Sequence, residues 1–391
     1  MMNSLRLLKK RLCAIYIIGV AVLSFLSSCG GKTAGSVSDG DTLKMAYAEH
    51  ITIVRHDGFR IVELHNPWKP NAVLHRYALV DRKDSARVVN SGADLSGMTV
   101  VYTPVTSCVV FTSPHCWLLG ALGASRAVSG VCDLSYINIP WIQQSAKSGV
   151  VADCGNSMSP TVERIISLKP QAIFVSPYEG ASYGQIDHIG VPVIECADYM
   201  ETSALGRAEW MRFYGMLVGK EQEADSMFAE VVKGYKEAMT LARHSHVRPK
   251  VLTERVVSGV WYCPGGNSSM GRLIGDAGGQ YVFADDTHSG SLTLSPEKVV
   301  SDAADVDCWM FVYNGKSAPK GSQLMSEYPG YKLLKAFREG GVYGCGSDTG
   351  VPYFEEVSFR PDFLLMDFVR IFHPDLRLNG STRYYKHLNL Q

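Results

Sequence analysis

TVERIIS at residues 161–167 and SPEKVVS at residues 295–301 are two copies of one sequence unit, and each leads into a run of β-forming residues. Each copy begins with Thr or Ser, the residue types whose hydroxyl accepts a free main-chain N–H at a helix N-cap. Glu163 and Glu297 follow two residues later, where the helix dipole favours a negative charge. The β-forming runs are AIFV at 172–175 and CWMFV at 308–312. One helix-to-strand unit in each half of the chain predicts two similar α/β lobes.

The sequence around these units alternates between strand and helix patterns. Strand-like runs occur at residues 100–102, 109–111 and 191–194, with helical patterns between them. Such alternation predicts mostly parallel sheets. From residue 202 to 244 turn signals nearly vanish and apolar residues fall at helical spacing, interrupted near Gly219. This stretch predicts a long helix that links the two lobes. The alternative is a long helix packed within one lobe.

These patterns divide the chain of 391 residues into six predicted segments. The predicted fold class is α/β, with two mostly parallel-sheet lobes joined by one long helix and preceded by a β-rich extension. The segments are a signal peptide (1–29), a flexible tether (30–44), the β-rich extension (45–97), the first lobe (98–201), the linking helix (202–246) and the second lobe (247–391).

The N-terminus has the features of an export signal. Four basic residues between positions 6 and 11 precede an apolar run at 13–26, which is short for a membrane span. The run ends in LSSCG at 26–30, which resembles a bacterial lipobox and implies that Cys29 is lipidated. An ordinary secretory signal with a chance cysteine is the alternative. We therefore expect an exported protein, anchored in the cell envelope by the lipid on Cys29 and facing the periplasm.

Charge and cysteine spacing restrict the partners. The chain has 38 basic and 38 acidic residues and no basic block, which argues against a nucleic-acid partner. Eight cysteines follow Cys29, without a C-x-x-C pair or zinc spacing. We expect few disulfides, no bound metal and no cofactor.

Several short pieces together resemble one known family. They are LLGALG at 118–123, VERIISLKP at 162–170, GVPV at 190–193, AGG at 277–279, SPE at 295–297, RPD at 360–362 and HP at 373–374. Their order and spacing resemble the substrate-binding proteins of bacterial iron–siderophore and cobalamin ABC importers, whose lobes are joined by one long helix. The resemblance covers residues 98–375.

The resemblance implies a membrane partner. In this family one glutamate per lobe docks onto arginines of an ABC permease dimer, which works with its ATPase, and Glu163 and Glu297 are the matching positions. Arginine is suited to bidentate pairing with such carboxylates. The alternative is that both glutamates only complement helix dipoles.

Ligands of open α/β sheets bind beyond the carboxyl ends of the strands, so loops at these ends are the candidate site. Aromatic residues dominate these loops, which suits a large, partly apolar ligand such as a corrinoid, haem or an iron chelate. The histidines among them are able to supply an axial nitrogen to iron or cobalt, or simply to hydrogen-bond within a loop. The candidate cleft residues are Ser113, His115, Trp117, Tyr136, Trp141, Tyr178, Trp261, Tyr262, Asn267, His288 and Tyr313.

Three other classes of function remain open alternatives. An enzyme is disfavoured because the chain has no nucleophile elbow and no phosphate-binding glycine loop. Capture of free zinc or manganese needs converging histidines and carboxylates, and the histidines are scattered. A lipoprotein of the same fold could also act as a scaffold or adhesin. The favoured interpretation is capture of a ligand between the lobes and its delivery to a permease.

Overall fold

The computed structural model describes residues 40–347 and 350–390. The chain first forms a five-stranded sheet in the order β1-β2-β3-β4-β5, antiparallel except for the parallel pair of β4 and β5. Asp57 and Gly58 make the turn between β2 and β3, and Gly58 has a φ of 87°, which glycine adopts at no steric cost. The elements are β1 (Asp41–Leu43), β2 (Ile51–His56), β3 (Phe59–His65), β4 (Val73–Asp81), α1 (Ser85–Asn90) and β5 (Thr99–Thr103).

The strand predicted at residues 100–102 exists as β5, but it lies in this N-terminal sheet and not in the predicted first lobe. Helix α1 connects β4 to β5 and allows them to run parallel. The N-terminal sheet therefore includes chain that we had assigned to the first lobe.

The first lobe contains a five-stranded parallel sheet in the order β12-β11-β6-β7-β8. Strand order reverses between β6 and β11, so the crevice at their carboxyl ends is a preferred place for a ligand. The elements are β6 (Cys108–Val110), α2 (Ser113–Ala121), β7 (Val128–Val131), α3 (Pro140–Lys147), β8 (Ala152–Asp153), the small hairpin β9 (Gly155–Asn156) and β10 (Ser159–Pro160), α4 (Val162–Leu168), β11 (Ala172–Val175) and β12 (Val193–Glu195).

Three consecutive helices follow the first lobe. They are α5 (Ala204–Glu209), α6 (Met211–Val218) and α7 (Glu221–His244). The break before α7 falls at Gly219, which has a φ of 67° and ends α6, as the sequence predicted. Helix α7 has 24 residues and packs against the last long helix of the chain. Within the described residues, no helix is both long and apolar enough to cross a membrane.

The second lobe contains a sheet in the order β16-β13-β18-β19-β20, parallel apart from β20, and a three-stranded antiparallel sheet in the order β14-β15-β17. The strands are β13 (Lys250–Thr253), β14 (Val256–Val257), β15 (Val260–Pro264), β16 (Gln280–Tyr281), β17 (Ser291–Leu294), β18 (Cys308–Tyr313), β19 (Val342–Gly346) and β20 (Lys386–His387). The helices are α8 (Ser269–Asp276), α9 (Pro296–Asp302), α10 (Gly321–Glu327), α11 (Lys335–Glu339), α12 (Tyr353–Glu356) and α13 (Pro361–Phe372).

The repeated sequence unit forms the same substructure twice. Helix α4 leads into β11 and helix α9 leads into β18, each a strand of a parallel sheet. The predicted cap holds for Ser295, whose hydroxyl accepts the N–H of Lys298 at 3.3 Å. Thr161 makes no such bond from its side chain, and its own N–H is bonded to the Cys154 carbonyl at 2.8 Å.

The largest apolar core joins the lobes. It runs from the N-terminal sheet through the first lobe and α5 to α7, and on to α13. Phe359 of the second lobe is fully buried, and its ring lies 5.6 Å from the ring of His115 and 6.0 Å from that of Tyr214. Helix α12 also packs against α2. The two lobes therefore share a packed apolar contact beside the cleft.

Candidate ligand-binding cleft

A cavity of about 990 Å³ lies between the lobes, at the carboxyl ends of the strands of both parallel sheets. The first lobe contributes the start of α2 after β6 and the loop after β7. The second lobe contributes Asn314 after β18 and Ser347 after β19. The described lining residues are Ser113, Pro114, Ser135, Tyr136, Ile137, Asn138, Gln143, Ala204, Arg207, Ser269, Met270, Leu273, Asn314, Ser347, Tyr353, Phe354, Glu355, Val357, Ser358, Pro361 and Leu364.

Arg207 of helix α5 is held in the cavity wall by a buried polar network. Its Nε donates to Asp198 Oδ2 at 3.1 Å. Asp198 is fully buried and also lies 2.9 Å from His115 Nε2 and 2.7 Å from the Tyr214 hydroxyl. Burial alone would raise the pKa of Asp198, but the contacts with His115, Arg207 and Tyr214 lower it. Asp198 therefore fixes the orientation of the guanidinium.

Glu355 of helix α12 joins the two lobes. Its side chain is only 3% exposed, and its Oε1 accepts the main-chain N–H of Asn138 at 3.0 Å. The Asn138 side-chain amide donates to the Ser347 carbonyl at 3.2 Å. Burial raises the pKa of Glu355. Among the described residues that line the cavity, Arg207 and Glu355 are the only charged ones.

A second cavity, of about 450 Å³, opens at the carboxyl ends of β6 and β11 in the first lobe. Thr112 and Tyr178 line it, together with serines of the β9–β10 hairpin. None of its described lining residues is charged. The described part of the chain contains no group of three or more His, Cys, Asp or Glu side chains that could hold a metal ion.

The profile of the periplasmic binding protein family matches residues 116–349, more than half of the chain and a segment that includes most of the cleft. The chain belongs to the periplasmic binding proteins. This family consists of solute-binding proteins, and this assignment agrees with the predicted family and α/β fold.

This periplasmic binding protein is similar in sequence to one protein over nearly its whole length and in fold to several solved structures over about 70–76% of it. An uncharacterized lipoprotein of Methanocaldococcus jannaschii is 24% identical over 98% of this chain and 97% of its own. A periplasmic haem-binding protein from Roseiflexus is 21% identical, with a TM-score of 0.54 over 70% of this chain and 99% of its own. A TroA-like periplasmic binding protein from Veillonella parvula is 18% identical, with a TM-score of 0.55 over 76% of this chain and 99% of its own.

The structure of this periplasmic binding protein brings two predicted cleft residues into the main cavity. Ser113 and Tyr136 line it, and Tyr136 is 82% exposed. Tyr178 instead lines the second cavity. His115 is buried and bonded to Thr112 and Asp198, so it faces the polar network and not the cavity.

The two predicted tryptophans of the first lobe do not line the cavity. Trp117 and Trp141 pack against the apolar core. Trp141 lies so close to Gly120 that a Cβ there would be 2.7 Å from the indole nitrogen. Gly120 thus provides the space in which the Trp141 ring packs against α2.

The predicted residues of the second lobe also lie elsewhere. Trp261 is fully buried, and its Nε1 donates to the Thr253 carbonyl at 3.1 Å. Tyr262, its neighbour on β15, faces solvent on the other side of the strand and does not line the cavity. Asn267 accepts the Nε–H of Arg272, and exposed His288 lies 3.1 Å from Asp286. Tyr313 is buried in the second-lobe core, and the next residue, Asn314, lines the cavity.

The predicted docking glutamates are both exposed on the first turns of their helices. Glu163 lies on α4 and Glu297 on α9. The Tyr328 hydroxyl donates to Glu297 Oε1 at 3.4 Å. Their docking role stays a prediction, and Cys29, the predicted lipidation site, lies outside the described residues.

Sequence reasoning missed the two charged residues of the cavity. Arg207 and Glu355 lie on helices, whereas the sequence pattern predicts site residues in the loops after strands. One signal was available, because both occur among apolar and small residues, in SALGRAEW at 203–210 and PYFEEVSF at 352–359. Charged residues in such segments are buried only when the fold gives them a partner or a function.

Proposed function

We propose that this periplasmic binding protein captures an iron chelate, haem or a cobalamin-like corrinoid in the cavity between its lobes and delivers it to an ABC permease with its ATPase. The cavity is the observation that carries the proposal. Its volume of about 990 Å³ is at the upper end of the usual range for small-molecule sites. Its wall combines aromatic and aliphatic surface with several hydroxyl and amide groups, which suits a large ligand with a polar rim.

The proposed location of the protein in the cell envelope fits the same function. We propose export and lipid anchoring through Cys29, and the similar protein from Methanocaldococcus jannaschii is named a lipoprotein. Several proteins of similar fold are named haem-binding proteins, including those from Roseiflexus and Pseudomonas aeruginosa. An anchored receptor would remain near the membrane in which its permease lies.

Titration with candidate ligands tests the proposal. The soluble form that begins after Cys29 is mixed with haem, cobalamin or ferric siderophores, and absorbance and the unfolding temperature are followed. A ligand at 100 times its Kd should stabilise the folded protein by about 2.7 kcal/mol, which raises the unfolding temperature by several degrees. A folded protein that responds to none of these ligands would contradict the proposed function.

A cavity-filling variant locates the binding. Ser135 is exposed and lines the cavity, so Ser135→Trp places an indole where the ligand would lie. We expect at least a tenfold loss of affinity, or about 1.4 kcal/mol. The control is Ser322→Trp, on the exposed surface of α10 and away from the cavity. Equal affinities of the two variants would place binding elsewhere.

A further inference from the structure

The carboxylate of Glu355 is buried without a neutralising cation. Among the described residues none forms an ion pair with it, and its side chain is only 3% exposed. The adjacent Glu356 differs, because Arg383 donates to both of its carboxylate oxygens at 2.7 and 2.8 Å. An ionised carboxylate in a buried position is costly unless it accepts hydrogen bonds. Glu355 therefore has acceptor capacity that the described protein leaves open.

The open acceptor position of the Glu355 carboxylate faces the cavity. Glu355 lines it, and Oε1 accepts the N–H of Asn138 from the opposite lobe. Oε2 accepts no hydrogen bond from another described residue. One oxygen thus contacts the other lobe while the second remains available to a ligand. A group that donates to Oε2 would form a charge-assisted hydrogen bond, which is stronger than a neutral one.

The rest of the cavity wall favours a ligand with neutral polar groups. Asn138 and Gln143 line it with amides whose nitrogens already donate to main-chain carbonyls, at 3.2 and 2.8 Å, so each can offer a ligand its amide oxygen. The one described cation, Arg207, already donates to Asp198. A ligand rim with carboxylates would meet Glu355 and a single arginine, whose positive charge is already paired with the buried Asp198 carboxylate. Primary amides both donate and accept, so they match this wall.

We propose that Glu355 accepts a hydrogen bond from an amide N–H on the rim of the bound ligand, and that the cleft for this reason selects an amide-bearing corrinoid over the dicarboxylate haem. This inference rests on the proposed function and specifies the ligand class for the same cavity. Glu355 acts as a specificity-determining residue that also contacts the opposite lobe through Asn138.

Paired titrations with cobalamin and haem test the role of Glu355 in the mature chain. The isosteric variant Glu355→Gln removes the charge but keeps the shape. We expect about a tenfold loss of cobalamin affinity, the usual difference between a charged and a neutral hydrogen bond. Haem affinity should stay equal or rise, because a carboxylate that repels the propionates is gone. The control Glu339→Gln removes a charge from an exposed site of the same lobe and should change neither affinity.

A second comparison needs no variant. Wild-type protein is titrated with cobalamin and with a corrin whose amides have been hydrolysed to carboxylates. The hydrolysed corrin should bind at least tenfold more weakly.

Several outcomes would overturn the inference. They are unchanged cobalamin affinity in Glu355→Gln, equal losses for cobalamin and haem in that variant, tighter binding of haem than of cobalamin by the wild type, or equal binding of the two corrins. If the wild type binds only a ferric siderophore, the inference fails and the proposed function stands. If it binds no ligand of the panel, the proposed function itself fails.

Discussion

Two buried carboxylates fix the chain before β2. Glu209 is fully buried and accepts the main-chain N–H groups of Ala46, Tyr47 and Ala48 at 2.8 to 3.0 Å. Glu201 accepts those of the next two residues, Glu49 and His50, at 2.9 to 3.1 Å. A carboxylate that accepts several N–H groups forms strong hydrogen bonds. Residues 46–50 are thus attached to helix α5 and to the segment just before it.

Removal of one of these carboxylates should destabilise the fold. Glu209→Ala leaves three N–H groups without their acceptor, so we expect the free energy of unfolding to fall by about 2–3 kcal/mol. Urea denaturation measures this change. Glu230→Ala, an exposed site on α7, is the control and should stay within about 0.5 kcal/mol of wild type. Equal stability of the two variants would show that water replaces Glu209 without cost.

His50 should make stability depend on pH. The Glu201 carboxylate, 3.5 Å from Nδ1, raises the pKa of His50 above 6.5, although burial acts in the opposite direction. A raised pKa means that the folded state holds the proton more tightly than the unfolded state. The contribution of His50 is therefore complete below the unfolded pKa and is lost as pH rises through the folded pKa.

The test is urea unfolding of wild type and His50→Gln at about pH 6 and about pH 8. The stability advantage of wild type over the variant should be larger at the lower pH. Other histidines, such as His373, whose pKa is lowered mainly by burial, are present in both proteins. Their effects therefore cancel in the difference in stability between wild type and variant. An advantage that grows towards the higher pH would show that the neutral imidazole is the stabilising form.

At the scale of elements, local patterns predicted α4, α9, α7 and the break at Gly219, because capping, apolar spacing and glycine act within a few residues. The sheet to which a strand belongs could not be predicted from such local patterns. Strand β5 looks like any lobe strand in sequence, but its partner is β4, and pairing depends on the whole fold.

Local sequence patterns predicted the residues of the candidate site only in part, for the same reason. Ser113 and Tyr136 were predicted because they follow strands β6 and β7. Trp261 was wrong as a cleft residue because β15 belongs to the small antiparallel sheet, where Trp261 faces the core. Alternation along a strand reveals two faces but not which of them is buried. The positions of Arg207 and Glu355 in the cavity wall depend on how their helices pack, which no local sequence pattern specifies.

Helix α7 and helix α13 approach each other closely at Gly234. A Cβ at this position would lie 3.0 Å from Asp362 Oδ2 and 3.3 Å from its Cβ. Gly234→Leu should therefore push the helices apart and lower the free energy of unfolding by about 2–3 kcal/mol. The neighbouring Lys233→Leu, at an exposed site, should change it by less than about 0.5 kcal/mol. Similar values from denaturation of the two variants would refute this close packing.

At the scale of the whole molecule, one apolar core crosses from the first lobe through the connecting helices to α13. A hinge movement would have to preserve this core, since its separation would expose large apolar side chains such as Phe359. We therefore expect only a modest change of cleft width on ligand binding. Small-angle scattering with and without a bound ligand measures that change.

The proposed permease contact is a property of both lobes together. The double variant Glu163→Ala and Glu297→Ala should keep ligand affinity near wild type but abolish uptake, because both sites are exposed and neither lines the cavity. Binding is measured on the purified protein and uptake in cells. The control pair Glu237→Ala and Glu339→Ala removes two exposed charges elsewhere and should retain uptake. Loss of ligand binding in the first double variant would contradict the docking assignment.

The eight cysteines of the described residues are all buried and unpaired. Burial raises the pKa of each thiol, so thiolate, the reactive form, is scarce at neutral pH. An engineered surface cysteine, for example at Tyr136 on the cleft rim, would then be the preferred target of a maleimide dye over these eight. In the part of the chain that the structure describes, none of the native cysteines would therefore have to be replaced before single-molecule fluorescence.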